Sequence, residues 1–402
     1  MNLRLAKNIN YMVLAQAANY AMPLILIPYL VRTLGLGGFG EFSVAQSIIN
    51  VGIIVVQFGF NIYVTKIIAE KIKHGQPIDE IISSTSVLQI ALAMALIVAA
   101  SAVYAVVPVR AAQLSFWYSF AWLGQALFPV WYFQGSQRFK QLAALSFMLR
   151  ATAFVLVLLL IKREDQLLLL PMIYSFSYLI AGLFASAVMW RRHALRIPTV
   201  KGLAALANHT KDLFFSNIVS MSLMNMPVFF LNHQVSKEEV GTFAAILRVI
   251  YAIKGMLNSG FQVLIPALIS ERSQLNHRNI VLKVLLMLLL VVAVALMIRE
   301  PFQIMLYGQH AALNYALEYS VLFVSVIPGA LATLFLFVFA TYHGKFTERK
   351  RAFSQVFVVA SLLYYPFIHL LNGLGAALVI LMCETVLLVL GIRIVSNNGH
   401  TG

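Results

Sequence analysis

The stretch that decides the fold is residues 40–72, GEFSVAQSIINVGIIVVQFGFNIYVTKIIAEKI, because it recurs without gaps as residues 241–273, GTFAAILRVIYAIKGMLNSGFQVLIPALISERS. The identical positions, all 201 residues apart, are Gly40 and Gly241, Phe42 and Phe243, Ile49 and Ile250, Gly59 and Gly260, Phe60 and Phe261, Ile68 and Ile269, and Glu70 and Glu271. Each copy is a long apolar segment with polar side chains along one face. Polar residues repeated inside a membrane usually line a cavity, so the repeat predicts a two-lobed transporter.

Composition restricts the chain to a membrane protein. Of its 402 residues, 61% are hydrophobic and only 11% are charged, whereas about 25% of the residues of an ordinary soluble protein are charged. A helix needs about 20 apolar residues to cross a bilayer, so the chain has room for about twelve spans and no large soluble domain. The net charge of +15 lies mainly in short loops, where it favours a topology signal over nucleic-acid binding. The single cysteine, Cys383, excludes a disulfide framework.

The fold class predicted from the apolar runs is an all-α integral membrane protein with about twelve transmembrane helices. A backbone in lipid must satisfy its own hydrogen bonds, and a helix does so within one segment. The predicted spans are residues 9–31, 40–63, 81–107, 112–134, 143–161, 168–190, 212–233, 240–268, 281–298, 315–342, 353–371 and 374–395.

The distribution of Lys and Arg predicts that both ends of the chain are cytoplasmic. With the N-terminus inside, the cytoplasmic loops carry 20 of the 29 basic residues and the outer loops carry six, as the enrichment of positive charge in cytoplasmic loops requires. The predicted domains are an N-terminal six-helix lobe at 1–196, a basic cytoplasmic inter-lobe loop at 197–211 and a C-terminal six-helix lobe at 212–402. Both lobes then begin on the same side, so a parallel pseudo-two-fold axis relates them.

Two matched stripes of polar side chains outline the predicted substrate cavity. Their spacing places each stripe on one face of a helix. The stripes are Gln46, Asn50, Gln57 and Asn61 in span two, and Tyr251, Asn258 and Gln262 in span eight. An amide facing lipid costs free energy, so the stripes turn inward. Hydrogen bonds between neighbouring helices are the alternative for any one amide, but a stripe in both lobes favours a hydrated cavity.

Three cations lie inside predicted spans: Arg150 in span five, and Arg248 and Lys254 in span eight. A charge at membrane depth costs about 3 kcal/mol or more. The acidic side chains well inside spans are Glu318 and Glu384, so at least one cation is expected to have no acidic partner. Free cations facing a cavity suit an anionic substrate such as a diphosphate. Structural ion pairing is the alternative for each single cation, and the two glutamates are also candidates for ion coupling.

Aromatic residues are concentrated in span four, which contains three of the four Trp residues. Trp117 and Trp131 lie near its two ends, where an interfacial aromatic belt is the expected position. Trp122 lies deeper and is a candidate for stacking on a sugar ring.

The motifs of common enzyme classes are absent from the sequence. It contains no HExxH, GxxxxGK[ST] or GxSxG pattern, the patterns that mark zinc proteases, nucleotide-binding loops and serine hydrolases. We therefore expect a transporter without a metal or cofactor rather than an enzyme. The energy for transport must then come from an ion gradient, the membrane potential or the gradient of the substrate itself.

Several short motifs, in order along the chain, resemble those of a known family. They are residues 28–35 (PYLVRTLG), 39–42 (FGEF), 58–60 (FGF) with Lys66 and Ala69, 131–135 (WYFQG) and 238–243 (EEVGTF). Each motif is weak alone, but their joint order covers nearly the whole chain. On these residues the chain is similar to the Wzx-type O-antigen flippases. These form the polysaccharide-synthesis branch of the multidrug/oligosaccharidyl-lipid/polysaccharide exporter superfamily.

The resemblance implies a function, a location and partners. Such proteins move undecaprenyl-diphosphate-linked oligosaccharide units of O-antigen, lipopolysaccharide or a related surface polysaccharide. The movement runs from the cytoplasmic to the periplasmic leaflet of the bacterial inner membrane, by alternating access. The implied partners are membrane lipids, the polysaccharide polymerase and the chain-length regulator. The family fold has two six-helix lobes around a cationic cavity, where Arg150, Arg248 and Lys254 are expected to engage the diphosphate.

Two other functions stay open from the sequence. A multidrug or other small-molecule antiporter of the same superfamily is the first, but such proteins use carboxylates in the first lobe for ion coupling. Spans one to six contain no acidic residue well inside the membrane, since Glu41 lies at an edge. This difference favours the lipid-linked sugar as substrate. A membrane scaffold or a polymerase component is the second alternative.

Overall fold

The computed structural model describes residues 3–194, 196–270, 277–307, 315–340 and 345–396, without the side chains of residues 3–20, 259–260, 262–270 and 346. Within these ranges every regular element is a helix, and none is a strand. Nine of the described helices are long and apolar enough to cross a membrane. The prediction of an all-α, multi-pass membrane protein is therefore confirmed.

The helices follow one another with short connections. In chain order they are α1 (Leu3–Gln57), α2 (Phe60–Lys73), α3 (Asp79–Val106), α4 (Arg110–Ala126), α5 (Val130–Gly135), α6 (Phe139–Leu160), a 3₁₀ turn (Glu164–Leu168), α7 (Leu169–Trp190), α8 (Val200–Leu231), α9 (Lys237–Ser270), α10 (His277–Met297), α11 (Arg299–Tyr307), α12 (Ala316–Val324), α13 (Val326–Thr333), a π-helix (Leu334–Phe339) and α14 (Phe346–Ser396). Long helices are the expected result for continuous apolar runs, because lipid offers the backbone no hydrogen-bonding partner.

Several of the helices do not coincide with single predicted spans. Helices α1 and α14 contain 55 and 51 residues, and each is broken at one residue with positive φ, at Gly35 (φ 70°) and at Asn372 (φ 49°). Each is therefore two helices end to end. Predicted span four is divided between α4 and the short α5, and it is not among the nine long apolar helices of the described chain. The total of twelve spans is not confirmed.

The chain packs as two compact units. The first comprises Met1–Pro23 and Glu41–Asn225, and the second comprises Leu24–Gly40 and Met226–Gly402. The segment Leu24–Gly40 thus packs with the C-terminal part of the chain, although it lies in the first predicted lobe. Helix α8 begins at Val200, inside the segment expected to be the inter-lobe loop. The lobe boundaries at 196 and 212 stay a prediction.

The core of the first unit contains the aromatic motif at the end of span four. Trp131, Tyr132 and Phe133 are fully buried, and the Trp131 indole N–H donates to Gln89 Oε1 at 2.9 Å. The expectation that Trp131 belongs to an interfacial belt is therefore wrong. A ring with a polar N–H can lie in the core when a partner satisfies that N–H, and Gln89 from α3 does so.

The first copy of the repeat contains a sharp break. Phe58 and Gly59 both have positive φ (41° and 77°), whereas the second copy continues through the matching position within α9. A Cβ on Gly59 would lie 2.8 Å from the Cβ of Leu213, and the Phe58 ring stacks on Phe214 at 4.5 Å. The N-terminal part of α8 thus packs on the break, so equal sequences need not give equal conformations in the two copies.

In the second unit two glycines of the repeat meet at a helix crossing. A Cβ on Gly40 would lie 2.9 Å from the Gly241 nitrogen and would overlap the Lys237 carbonyl oxygen. A Cβ on Gly241 would lie 3.1 Å from the Gly40 nitrogen and would overlap the Leu36 carbonyl oxygen. Leu36 and Lys237 are themselves 201 residues apart. Each copy therefore contributes an equivalent glycine and an equivalent backbone carbonyl to the crossing, as a two-fold contact requires.

Candidate functional site

The candidate site is centred on an ion pair inside the second unit. Lys254 lies on α9 and Glu384 on α14, and Lys254 Nζ donates to Glu384 Oε1 at 2.6 Å. Their side chains are 14% and 22% exposed, so the pair is mostly buried. Structural pairing, the alternative for each cation, is therefore observed for Lys254. The expected cation without an acidic partner is not Lys254.

Helix α9 holds Lys254 in place from its first turn. The side chain of Ser236 accepts the backbone N–H of Glu239 at 3.2 Å, which satisfies one of the free donors at the helix N-terminus. Glu238 and Glu239 place negative charge in the first turn, where the helix dipole favours it. These contacts stabilise the start of α9, the helix that carries Lys254.

One side of the ion pair faces backbone rather than a side chain. A Cβ built on Gly329 of α13 would lie 2.7 Å from Lys254 Nζ and 2.9 Å from Glu384 Oε2. Pro328 precedes this glycine in α13, and the π-helix Leu334–Phe339 follows directly. Single π-turns inside helices frequently occur at functional sites. Sequence reasoning missed Gly329, because nothing in the sequence shows which residue of α13 faces the pair.

Three further titratable side chains lie near Glu384. Tyr251 on α9, and Tyr364 and Cys383 on α14, lie close enough to interact electrostatically with this carboxylate. Tyr364 is buried and stacks on Phe230 at 5.6 Å. The structure thus brings three predicted site residues together, namely Tyr251, Lys254 and Glu384.

Arg248 lies six residues before Lys254 on the same helix, or about 9 Å along the axis. Its guanidinium carbon lies 4.5 Å from the centroid of the buried Phe39 ring. This cation–π contact offsets part of the cost of taking the charge out of water. Arg150 lies half-buried on α6 in the first unit. Within one unit, the structure therefore groups Arg248 with Lys254 and does not add Arg150.

The stripe of the first copy makes hydrogen bonds to neighbouring helices. Gln46 Nε2 donates to the Tyr118 hydroxyl at 3.3 Å, and Asn50 Nδ2 donates to Asn225 Oδ1 at 3.2 Å. Asn50 is nevertheless exposed. Sequence reasoning missed Asn225, although an amide two residues before Pro227 of span seven was a usable signal.

The remaining stripe residues have less defined surroundings. Gln57, Asn61 and Asn258 are partly exposed, and the Asn61 carbonyl accepts the Thr65 hydroxyl at 2.7 Å. The side chain of Gln262 lies outside the part of the chain that the structure describes. Partial exposure of these amides is compatible with the predicted cavity lining, which stays a prediction.

Trp122 packs against the first copy of the repeat. Its indole N–H donates to the Ile49 carbonyl at 2.9 Å, and the ring covers Gly52, where a Cβ would overlap it. Only 5% of Trp122 is exposed. In this conformation the ring is a packing element, so stacking on a sugar would require it to be uncovered. The stacking role stays a prediction.

Glu318 lies apart from the ion pair, in the first turn of α12. A Cβ on Gly373 would lie 3.6 Å from Glu318 Cγ and 3.1 Å from Glu239 Oε1. Glu239 Oε1 accepts the Gly373 N–H at 2.7 Å, directly after the break at Asn372. Glu318 thus lies with Glu239 beside the connection inside α14, and it is not the partner of Lys254.

The sequence matches a known family and known transporters. A family model described as polysaccharide biosynthesis protein matches residues 5–272, more than half of the chain. The chain therefore belongs to this family. A candidate O-antigen transporter of Escherichia coli (strain K12) is 27% identical over 423 aligned positions, which cover 98% of each chain. A protein of the same description from Shigella dysenteriae is 24% identical over 65% of this chain and 67% of its own.

Solved structures share the fold. An inward-facing multidrug resistance transporter of the MATE family, in the MOP superfamily, aligns over 94% of this chain and 99% of its own, with a TM-score of 0.66 and 15% identity. The lipid II flippase MurJ, in an inward closed conformation, aligns over 92% and 86%, with a TM-score of 0.64 and 13% identity. Together, the family match and the O-antigen transporter relatives confirm the prediction of a transporter rather than an enzyme.

Proposed function

We propose that this member of the polysaccharide biosynthesis protein family flips undecaprenyl-diphosphate-linked oligosaccharide units of O-antigen or a related surface polysaccharide. The units move from the cytoplasmic to the periplasmic leaflet of the bacterial inner membrane by alternating access, and both chain termini are cytoplasmic. The observation that carries the proposal is Lys254, a mostly buried cation on the repeat helix α9. The first copy has the apolar Ile53 at the same position.

The proposed substrate contacts follow the chemistry of each group. The diphosphate engages Lys254 and Arg248, which lie on one helix, with Arg150 as a third cation. Charge-assisted hydrogen bonds to phosphate are about twice as strong as neutral ones. The sugars contact the stripe residues Gln46, Asn50, Gln57, Asn61, Tyr251, Asn258 and Gln262, with Trp122 as a stacking surface. The prenyl chain stays in lipid, because its removal from an apolar medium would bring no gain.

The proposed partners act after translocation. A polymerase joins the exported units, and a chain-length regulator limits their number, so both must receive substrate from the outer leaflet. Support for this role comes from the family assignment and from the relative described as a candidate O-antigen transporter.

The experiment that tests the proposal is the Lys254→Ala variant in a strain without its own flippase. We expect loss of surface polysaccharide at normal protein level, whereas Lys254→Arg, which keeps the charge, retains export. Removing one partner of a buried pair costs about 3–5 kcal/mol, so Lys254→Ala combined with Glu384→Gln is measured beside it. The matched control is Lys345→Ala, which breaks the more exposed pair with Glu348. Full surface polymer in the Lys254→Ala strain would refute the role of Lys254.

The alternative is export of drugs or other small molecules, as the fold shared with a multidrug resistance transporter allows. The same deletion strain separates the two functions. Loss of surface polymer with unchanged drug susceptibility supports the lipid-linked sugar, and the reverse pattern supports the small-molecule antiporter.

A further inference from the structure

We infer that the Glu384 carboxylate competes with the substrate diphosphate for Lys254. Gly329, which has no side chain, leaves open the space beside Lys254 where either anion can bind. The inference rests on the proposed function, in which Lys254 receives the diphosphate. It adds that the site is filled by the carboxylate of the protein when substrate is absent, and that substrate binding is linked to the protonation of Glu384.

The geometry of the pair makes the competition direct. Glu384 Oε1 lies 2.6 Å from Lys254 Nζ, slightly closer than the about 2.7–2.9 Å at which an ammonium group usually binds an anionic oxygen such as that of a phosphate. The ammonium group has three N–H donors. On the side of Gly329 there is no room for a side chain next to Nζ, since a Cβ on Gly329 would lie 2.7 Å from it. The carboxylate thus occupies a position that an anionic ligand needs.

The charges around Glu384 explain why protonation is linked to binding. The charged and titratable groups that face it are Lys254 and Tyr251 on α9, and Tyr364 and Cys383 on α14. Neither α13 nor the π-helix after it contains a titratable residue. Among the four named groups, only Lys254 is a cation.

A diphosphate on Lys254 would place two anions side by side in a mostly buried site. Like charges at such distances suppress the ionised form of one of them. A carboxylate that loses its cation in a buried site is expected to take up a proton. We therefore expect diphosphate binding at Lys254 to be accompanied by proton uptake at Glu384, which a proton count can test.

The helix beside the pair is built to change shape. Pro328 removes a backbone donor from α13, Gly329 weakens it, and the π-helix Leu334–Phe339 interrupts the regular bonding. A Cβ on Gly391 would lie 3.0 Å from Phe335 Cβ and 3.2 Å from Leu336 Cγ, so α14 touches the π-helix closely seven residues after Glu384. The irregular segment therefore packs directly on the helix that carries Glu384.

The test uses the purified full-length protein in lipid nanodiscs and farnesyl diphosphate as the probe. At about pH 8, Glu384→Gln is expected to bind the probe at least about tenfold more tightly than the wild type, because it removes a like charge from the site. The wild type is expected to bind the probe more tightly as the pH falls to about 6. In Glu384→Gln, the part of this pH dependence that arises from the protein is expected to disappear. Lys254→Met combined with Glu384→Gln is expected to lose the tight binding. Glu348→Gln, the same change in the Lys345–Glu348 pair at the start of α14, is expected to match the wild type.

A second measurement keeps the inference testable if Glu384→Gln does not fold. Calorimetry of the wild type in buffers with different ionisation enthalpies is expected to show about one proton taken up per probe bound at about pH 8. Probe binding without proton uptake, or equal affinity of the wild type and Glu384→Gln, would overturn the inference and leave the proposed function standing. Failure of the wild-type chain to restore surface polymer in the strain without its own flippase would overturn the proposed function instead.

Discussion

At the residue scale, the sequence identifies the charged groups of the site but not their pairing. Lys254, Glu318 and Glu384 stand out because a charge inside an apolar run costs free energy. Lys254 and Glu384 are 130 residues apart, and no local pattern shows that α9 and α14 bring them to 2.6 Å. Gly329 is not recognisable at all, because its role is to leave space, and glycines are common in membrane helices.

Gly329→Ala tests the packing around the ion pair. The new methyl carbon would lie 2.7 Å from Lys254 Nζ, so the pair must move or α13 must shift. Forcing an extra methyl group into a packed site typically costs about 1–3 kcal/mol. We expect a lower unfolding temperature of the detergent-solubilised protein. Gly202→Ala in α8 is the control, because its Cβ would meet only the Thr199 hydroxyl at 3.2 Å. Equal stability of the two variants would contradict the described contact.

At the scale of elements, the repeat predicts which helices correspond but not how each one is bent. Gly59 and Gly260 are equivalent in sequence, yet only the first lies at a described break. The difference arises from long-range packing, since α8 supplies Leu213 and Phe214 against the first copy. A repeat in sequence therefore predicts similar elements, and tertiary contacts decide their local conformation.

The crossing of Gly40 and Gly241 is where the two copies of the repeat meet as equivalents. Each glycine packs on the backbone of the other, so the contact has no flexible side chain that can yield. Gly40→Ala and Gly241→Ala are expected to destabilise the protein by similar amounts, about 1–3 kcal/mol each. The double variant is expected to lose less than the sum, since both changes disrupt one contact.

Thermal unfolding of the three variants measures this symmetry. Gly37→Ala is the matched control on the same segment, because its Cβ would meet the flexible end of Glu238 at 3.2 Å. A large loss for Gly40→Ala beside full tolerance of Gly241→Ala would show that the crossing is not two-fold. Strict additivity of the two losses would show that the glycines act in separate contacts.

At the scale of the whole molecule, composition and apolar runs are sufficient to predict the class of fold. Lipid leaves the backbone few alternatives to the helix. Each apolar segment satisfies its backbone hydrogen bonds within itself, so the fold class can be predicted one segment at a time. The division of the chain into units is different. Leu24–Gly40 packs with the second unit and α8 extends back to Val200, and both features depend on contacts between distant segments. Such contacts leave no signal in one sequence.

Topology is the remaining prediction at this scale. It depends on whether the interrupted span four crosses the membrane. Helix α4 has 17 residues and α5 has only six, while a full crossing needs about 20 apolar residues. If α4 and α5 cross together, Val107 before them lies outside and Lys140 after them lies inside. Both residues are exposed in the first unit, so a cysteine at either position is open to a water-soluble reagent.

Labelling of single cysteines decides whether that crossing exists. With Cys383 replaced by Ser, Val107→Cys is expected to react with a membrane-impermeant maleimide in intact spheroplasts. Lys140→Cys is expected to react only after the membrane is opened, since positive loops such as this one stay cytoplasmic. Lys66→Cys, in an exposed pair with Glu70 at 3.7 Å, is the inside control. Labelling of Lys140→Cys from the outside would mean that α4 and α5 do not cross. The spans after them would then change direction, and the parallel relation of the two lobes would be lost.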